Sequence, residues 1–239
     1  MQINSVKYLD WDSNFFGYPV ARVDLDHFGT DRIDSLFKQI ALEKFRLTYF
    51  FVPSDEKELN QYFSEKGALL VDQKTTFSKS TENHKVISQS IVEFQGVDVN
   101  EKLKGLVLQA GLYSRFRTDK NFIANEYERL YLEWLSKSIR KEIALKIFVA
   151  LYDSETIGLT TLGEKYKHAD IGLVSIDVNF RGLGLGCDLI KSADTAAFNL
   201  GFNEIKVVTQ LQNRPACRLY EKCNFHIENI TNIYHYWQS

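Results

Sequence analysis

The chain has 239 residues, 44% of them hydrophobic and 25% charged, with a net charge of −2. That length holds one large domain or two small ones, with enough apolar residues for a sizeable core. The near-neutral balance offers no general attraction to nucleic acid or to an anionic membrane, so neither is expected as a partner.

Residues 9–17 read LDWDSNFFG. Trp11, Phe15 and Phe16 crowd with two acids beside Gly17, and by residue type the segment is a hydrophobic plug for a sheet. A strand pattern follows over 18–23. Thr30 or Asp31 caps a helix carrying Ile33, Leu36, Phe37, Ile40, Ala41 and Leu42. A strand over 47–52, a turn at Pro53-Ser54-Asp55, a helix over 56–66 stopped by Gly67, and a strand over 68–77 complete a βαβαβ unit. Residues 1–80 therefore read as a small α/β domain. The polar run SKSTENHK, residues 78–85, reads as a linker.

Residues 86–239 read as a second domain. A strand is expected over 86–94, and a helix over 100–111 sets Leu103, Leu106, Val107 and Ala110 on one face. A mixed basic and aromatic loop, 113–122, precedes a strongly periodic helix over 126–139. Strands over 145–151 and 156–163 join through Asp153-Ser154-Glu155 and pair with an apolar run over 171–178 as a meander. A glycine-rich turn then opens a helix in which Leu185, Leu189, Ile190, Ala193, Ala196 and Ala197 recur at helical spacing up to Gly201. A strand over 205–209, a short helix with Ala216, Leu219 and Tyr220, and a strand over 227–237 end the chain. The fold class is α/β (α+β): a mixed, mostly antiparallel central sheet, with one parallel pair across the glycine-rich crossover, flanked by helices.

The turn itself is Arg181-Gly182-Leu183-Gly184-Leu185-Gly186. Glycines let backbone approach a ligand closely, and free N–H groups with the positive end of a helix dipole suit phosphate or pyrophosphate. Arg181 adds a positive charge at the mouth. No Gly-Lys-Ser/Thr follows, so this is not a P-loop. The G-x-G-x-G spacing, late in the chain, with Glu204 already at the start of the next strand, also departs from the dinucleotide fingerprint.

At these residues a resemblance enters. Arg181-x-x-Gly184-x-Gly186 matches the Q/R-x-x-G-x-G/A motif of the GCN5-related N-acetyltransferase (GNAT) superfamily. Asn213-x-x-Ala216-x-x-x-Tyr220-Glu221-Lys222-x-x-Phe225 resembles the superfamily's second conserved helix. The resemblance implies an acyl-CoA donor and no metal. Its pyrophosphate would lie on the backbone of Leu183, Gly184, Leu185, Gly186 and Cys187, and its pantetheine arm along the strand ending Ile176-Asp177-Val178. In place of the usual glycine before the final phenylalanine stands Asn224, the next-best residue for a left-handed cap.

A narrower resemblance covers nearly the whole chain. The opening Leu9-x-Trp11-Asp12-Ser13-x-Phe15-Phe16-Gly17, the segment Ser114-Arg115-Phe116 with Asp119 and Phe122, and Tyr131-x-x-Trp134 look like the dTDP-amino-sugar N-acyltransferases of the GNAT superfamily, the group around dTDP-fucosamine acetyltransferase. That group is cytoplasmic and feeds surface-polysaccharide synthesis such as O-antigen. It transfers acetyl or a longer acyl group, such as 3-hydroxybutyryl, from acyl-CoA to the C3 or C4 amine of a dTDP-linked deoxy-amino sugar. Its N-terminal unit resembles an incomplete GNAT-like half. The resemblance implies that Arg115 pairs with a nucleotide diphosphate, and that Phe15, Phe16 and Phe116 wall a pocket for the deoxy sugar. An ion pair for Arg115 and core positions for the phenylalanines are the plain alternative.

Acyl transfer from a thioester to an amine needs a neutral amine, a stabilised oxyanion, for which a backbone N–H near Val178 is available, and a proton for the leaving thiolate. By the family pattern Tyr220 supplies that proton. The base stays open among Asp177, Glu164, Asp170 and water. Two other readings stand beside this one: a GNAT enzyme for another amine, such as an aminoglycoside, a polyamine or a protein N-terminus, and a non-catalytic acyl-CoA sensor.

Cys187, Cys217 and Cys223 are odd in number and unpatterned, which fits free thiols in a reducing cytoplasm. The five histidines lack ligand spacing, so no metal site is expected. No apolar run approaches the roughly 18–20 residues of a membrane helix. The oligomeric state stays open, a homodimer included.

Overall fold

A computed structural model of the chain describes residues 6–25, 30–85 and 88–238, with the backbone alone described at 30–32. The chain forms two compact units, Met1–Thr75 with Ile230–Ser239, and Thr76–Asn229. The expected division was 1–80 and 86–239; the last ten residues, counted there with the second domain, belong to the first unit.

The first unit contains β1 (Lys7–Tyr8), α1 (Asp10–Phe16), β2 (Val20–Asp24), α2 (Thr30–Leu42), β3 (Leu47–Pro53), α3 (Lys57–Glu65) and the start of β4 (Leu69–Ser80). β2 and β3 run parallel, with Val20 opposite Leu47, while β1 pairs antiparallel with β2. β3 also pairs antiparallel with the last strand of the chain, β10 (His226–Trp237), with Pro53 opposite Thr231. The apolar faces of α2 and α3 meet this sheet: Ile33, Leu36, Ile40, Leu59 and Phe63 bury against Val23, Phe50, Val52 and Tyr234. The cap expected at Thr30 or Asp31 involves side chains outside the described residues.

The aromatic segment 9–17 is a helix, which residue type did not announce. Asp10 and Asp12 occupy the first turn of α1, where the dipole favours acids. Gly17 closes the helix at φ 80°, its N–H donating to Ser13 O at 2.9 Å.

The second unit takes the end of β4, then β5 (Ile91–Glu93), α4 (Glu101–Ala110), α5 (Arg115–Thr118), α6 (Glu126–Ile139), β6 (Lys146–Tyr152), β7 (Glu155–Lys165), β8 (His168–Ile176), α7 (Leu185–Asn199), β9 (Glu204–Gln210), α8 (Arg214–Lys222) and the start of β10. β5, β6, β7 and β8 pair antiparallel in turn, and β8 pairs parallel with β9 across the α7 crossover. Alternation along β6 sorts the two faces. Ile147 and Val149 pack with Leu103, Leu106, Val107 and Leu135 of α4 and α6, whereas Ala150 packs with Leu189 of α7. Farther along α7, Ile190, Ala193 and Ala197 bury against Ile171, Ile205 and Val207. The strand expected over 86–94 is confined to Ile91–Glu93, with residues 86–87 outside the described set.

The polar run 78–85 is not a linker. Its first three residues end β4, Thr81 bonds to Phe202 and Asn203, and Glu82 and His84 bond to α7. Asp194, fully buried on α7, holds Lys79 Nζ and the His84 ring Nε2 at 2.7 Å each. It also accepts the Glu82 N–H at 3.0 Å. A buried carboxylate must be paired or bonded to be tolerated, and this run supplies the partners. Glu82, His84 and Asp194 bring their ligand atoms within 4.8 Å of one another, and the cation among them is the Lys79 ammonium.

Candidate active site

A bulge in β8 organises the site. Thr160 faces Val174 and Leu162 faces Ile171, so Thr161 alone opposes Gly172 and Leu173. The Thr161 hydroxyl fills the gap in the ladder by accepting the Leu173 N–H at 2.9 Å. Pairing of β8 with β9 runs from Ala169↔Ile205 to Ile171↔Val207 and stops there, at the bulge. Beyond it β8 continues to Ile176 and β9 to Gln210 without further pairing. The two strands therefore part, leaving unpaired backbone along one edge of each.

The opening leads to the glycine turn. β8 ends at Ile176, two residues short of the expected Val178. Asp177 instead caps a 3-10 turn, Val178–Phe180, by accepting the Asn179 N–H at 2.9 Å. Asp177, a candidate base, is thus occupied as a cap, and its own N–H donates to Ile157 O at 2.8 Å. Arg181 follows as an exposed brace: its Nε donates to Ile176 O at 3.2 Å and an Nη to Gln109 Oε1 at 3.1 Å, joining the end of β8 to α4.

Gly182 and Gly184 take φ of 84° and 85°, where a Cβ is strained, and Gly184 is the N-cap of α7. The space around both is open. Gly186 differs. It has ordinary helical dihedrals, and a Cβ on it would lie 3.2 Å from Leu219 Cδ1, so its smallness lets α7 approach α8. Leu183 is exposed at the tip, and Leu185 and Cys187 are half-buried in the first turn of α7.

α8 carries the remaining wall. Asn213 is its N-cap, accepting the Ala216 N–H at 3.3 Å and donating to Thr209 Oγ1 at 3.2 Å, which ties the helix start to β9. Pro215 follows in the first turn, where its missing N–H costs nothing. Tyr220 is 4% exposed, its ring packed against Phe77 at 5.5 Å and Phe225 at 6.1 Å between centroids. Burial, with smaller contributions from the nearby Cys217 and Cys223 thiols, pushes its hydroxyl well above the ordinary tyrosine value. Asn224 takes the expected left-handed conformation, φ 64°, and closes the turn into Phe225.

These parts enclose a groove of about 370 Å³. Its lining includes Ile176, Arg181, Gly182, Gly184, Leu185, Gly186, Cys187, Asn213, Ala216 and Tyr220, which brings together most of the residues expected at the donor site. Gln109, Leu112, Tyr113, Val174, Ser175 and Leu219 also line it and were not foreseen from sequence. The groove gathers an anion-favouring helix start, open strand edges and one buried phenol, an arrangement suited to an extended, phosphate-bearing molecule.

The residues expected on the acceptor side are spread differently. Arg115 and Phe116 begin α5 and do not line this groove. The Arg115 guanidinium lies 4.7 Å from the Phe116 ring centroid, and Phe116 is buried against Phe122 and Trp134. Phe15 and Phe16 belong to the first unit, half-buried at the end of α1. Phe15 stacks on Trp11 at 5.0 Å and Phe16 on Tyr18 at 5.8 Å.

Gly184→Val tests the turn. The valine either holds a left-handed backbone, at about 1–2 kcal/mol, or reshapes the turn, and in both cases its side chain enters the groove. The expected result is a folded protein whose donor KM rises about tenfold or more. Unchanged donor affinity in a folded variant would remove the phosphate site from this turn.

Residues 111–225 match the model of the acetyltransferase (GNAT) family. A streptothricin acetyltransferase of Escherichia coli is 30% identical over 105 residues, 38% of this chain and 60% of that protein. The spore coat polysaccharide biosynthesis protein SpsD of Bacillus subtilis is 24% identical over 124 residues, 52% of this chain and 43% of that protein. The chain thus spans less than two thirds of either relative. Among solved structures, a GCN5-related N-acetyltransferase from Sphaerobacter thermophilus superimposes with a TM-score of 0.62 at 12% identity, over 91% of this chain and 73% of that one. A functionally unknown conserved protein from Staphylococcus epidermidis reaches 0.65 at 11% identity, over 100% and 93%. The chain has the GNAT fold, and its residues 111–225 are the segment in which the acetyltransferase (GNAT) family is matched.

Proposed function

We propose that this protein is an acyl-CoA-dependent N-acyltransferase acting by direct attack in a ternary complex. The observation that carries the reading is the parting of β8 from β9 at the bulge, directly leading to the glycine turn and to Tyr220. In this reading the pyrophosphate takes the N–H groups of the first turn of α7, and the pantetheine arm pairs with the open edge of β8. The acceptor amine attacks the thioester carbonyl and loses a proton to water, the thiolate leaves, and the Tyr220 hydroxyl gives it a proton that solvent then restores to the tyrosine.

For the acceptor we propose the C3 or C4 amine of a dTDP-linked amino-dideoxy sugar, with acetyl or 3-hydroxybutyryl as the group transferred. The relative whose name places it in spore coat polysaccharide biosynthesis supports a sugar acceptor. The identity with a streptothricin acetyltransferase supports a second reading, a smaller amine of the antibiotic type. Initial rates with acetyl-CoA and 3-hydroxybutyryl-CoA against dTDP-amino-sugars, streptothricin and polyamines separate the two. Turnover of streptothricin with none on any nucleotide sugar would reject the sugar reading.

Arg115 is proposed to hold the nucleotide diphosphate. Arg115→Ala should weaken acceptor binding by roughly 1.5–3 kcal/mol, the range for a charged hydrogen bond, and leave donor binding nearly untouched. Equal losses for donor and acceptor, measured as KM values, would mark a structural role instead.

A further inference from the structure

We propose that Cys187 and Cys223 form a reversible disulfide that straps the first turn of α7 to the end of α8. Cys187 lies in that first turn, and Cys223 is the C-cap of α8. Both line a second groove, about 290 Å³, that also has Gly184 in its wall. Both are half-buried, whereas Cys217 is buried. The helices are close here, since a Cβ built on Gly186 would lie 3.2 Å from Leu219 Cδ1. A disulfide needs Cβ atoms about 3.5–4.5 Å apart, which two packed helix ends reach by a small backbone shift, after which χ1 rotation brings the sulfurs together. The proposed acyl transfer gives neither sulfur a role.

The oxidant in this scheme is a low-molecular-weight disulfide. The Cys187 thiolate attacks one sulfur, the small S–S bond breaks, and the departing thiolate takes the proton Cys187 gave up. Cys223 then loses its proton and attacks Cys187 Sγ, expelling the second small thiolate, which takes that proton. Two protein thiols are oxidised to one disulfide, and one small disulfide is reduced to two thiols. Burial, and then the neighbouring Cys187 thiol, push the Cys223 thiol up to about 12. That assigns the first attack to Cys187 and makes Cys223 the resolving thiol.

The strap would join the turn that opens α7 to the helix bearing Tyr220, so oxidation should weaken donor binding. This consequence rests on the acyl-CoA reading above, whereas the disulfide itself does not. The test incubates reduced protein with oxidised glutathione, alkylates the remaining thiols and maps the peptides by mass spectrometry. A Cys187–Cys223 cross-link that dithiothreitol removes, with Cys217 outside it, is expected. Cys223→Ser should stop at a glutathione adduct on Cys187. Alkylated Cys187 and Cys223 in the treated wild type, or a lasting glutathione adduct on wild-type Cys187, would overturn the proposal. Titration of acetyl-CoA then reads the consequence. A several-fold loss of affinity on cross-linking, restored by dithiothreitol, supports the switch, and equal affinity in both forms overturns it. Reduced protein that fails to bind acetyl-CoA at all would overturn the donor reading, and the peptide map alone would then decide the disulfide.

Discussion

Tyr220→Phe is expected to lower kcat and kcat/KM together by about 10²-fold and to leave both KM values nearly unchanged. The ring is held between Phe77 and Phe225, so phenylalanine keeps the packing and removes only the hydroxyl. A proton donated to a departing thiolate matters only once the carbon–sulfur bond is breaking, which is why the effect falls on kcat. A thiolate leaves readily, so the loss should sit at the low end of the 10²–10⁴ range for general acids. The electrostatics keep the phenol in its acid form. Burial, the largest cause, raises the hydroxyl above the ordinary tyrosine value, and so the phenol keeps its proton at every working pH. An acid with a raised value is lost only at higher pH, so kcat should show no decline from Tyr220 across the ordinary tyrosine range, near pH 10. If the tyrosine is only structural, the variant should lose roughly 1 kcal/mol of stability and keep its chemistry. Steady-state kinetics with a melting curve separate the two outcomes.

The largest stability effect is expected at Asp194. Asp194→Asn should cost about 3–5 kcal/mol, the range for breaking a buried ion pair from one side. The carboxylate is fully buried and receives the Lys79 ammonium, the His84 ring and the Glu82 N–H. Lys79 is itself only 8% exposed, so the variant leaves its charge with only the exposed Glu82 carboxylate, 3.9 Å away, for a partner. Removing that charge too should recover part of the loss: Asp194→Asn with Lys79→Met is expected to be more stable than Asp194→Asn alone. Urea denaturation of the four proteins in the cycle measures this. A loss under about 1 kcal/mol in the single variant would mean that water enters and the pair is not buried in solution.

The readable parts of this molecule were those where local chemistry and tertiary structure agree. Asn100 caps α4 through the Leu103 N–H, and the periodic run of α6 spans 126–139 as its pattern predicts. The turn at Gly182 and Gly184 was legible for the same reason: few residues fit those backbone positions. The misreadings have physical causes. Residues 78–85 look like a linker because their polar side chains suggest solvent, yet they satisfy a carboxylate distant in sequence. The signal was Asp194 itself, an acid in the apolar stripe between Ala193 and Ala197. The bulge was likewise visible as Gly172, a lone glycine within a strand pattern, which commonly marks such a site. Helix α1 was hidden because three aromatics in nine residues read as plug material. The groove lining by Gln109, Leu112 and Tyr113 depends on how α4 meets the end of β8, which no local pattern encodes. The roles of Phe15, Phe16, Arg115 and Phe116 came from resemblance and remain proposals.

The central claim is that the groove between β8 and α8 carries an acyl-CoA whose acyl group passes to an amine. Parallel measurement of CoA release and of N-acyl product, from acetyl-CoA with each candidate amine, tests it most directly. The account predicts that CoA release depends on the amine, matches product one for one, and falls about a hundredfold in Tyr220→Phe. CoA release at the spontaneous rate with every amine, by a protein that binds acetyl-CoA, would contradict it and leave a binding protein in place of an enzyme.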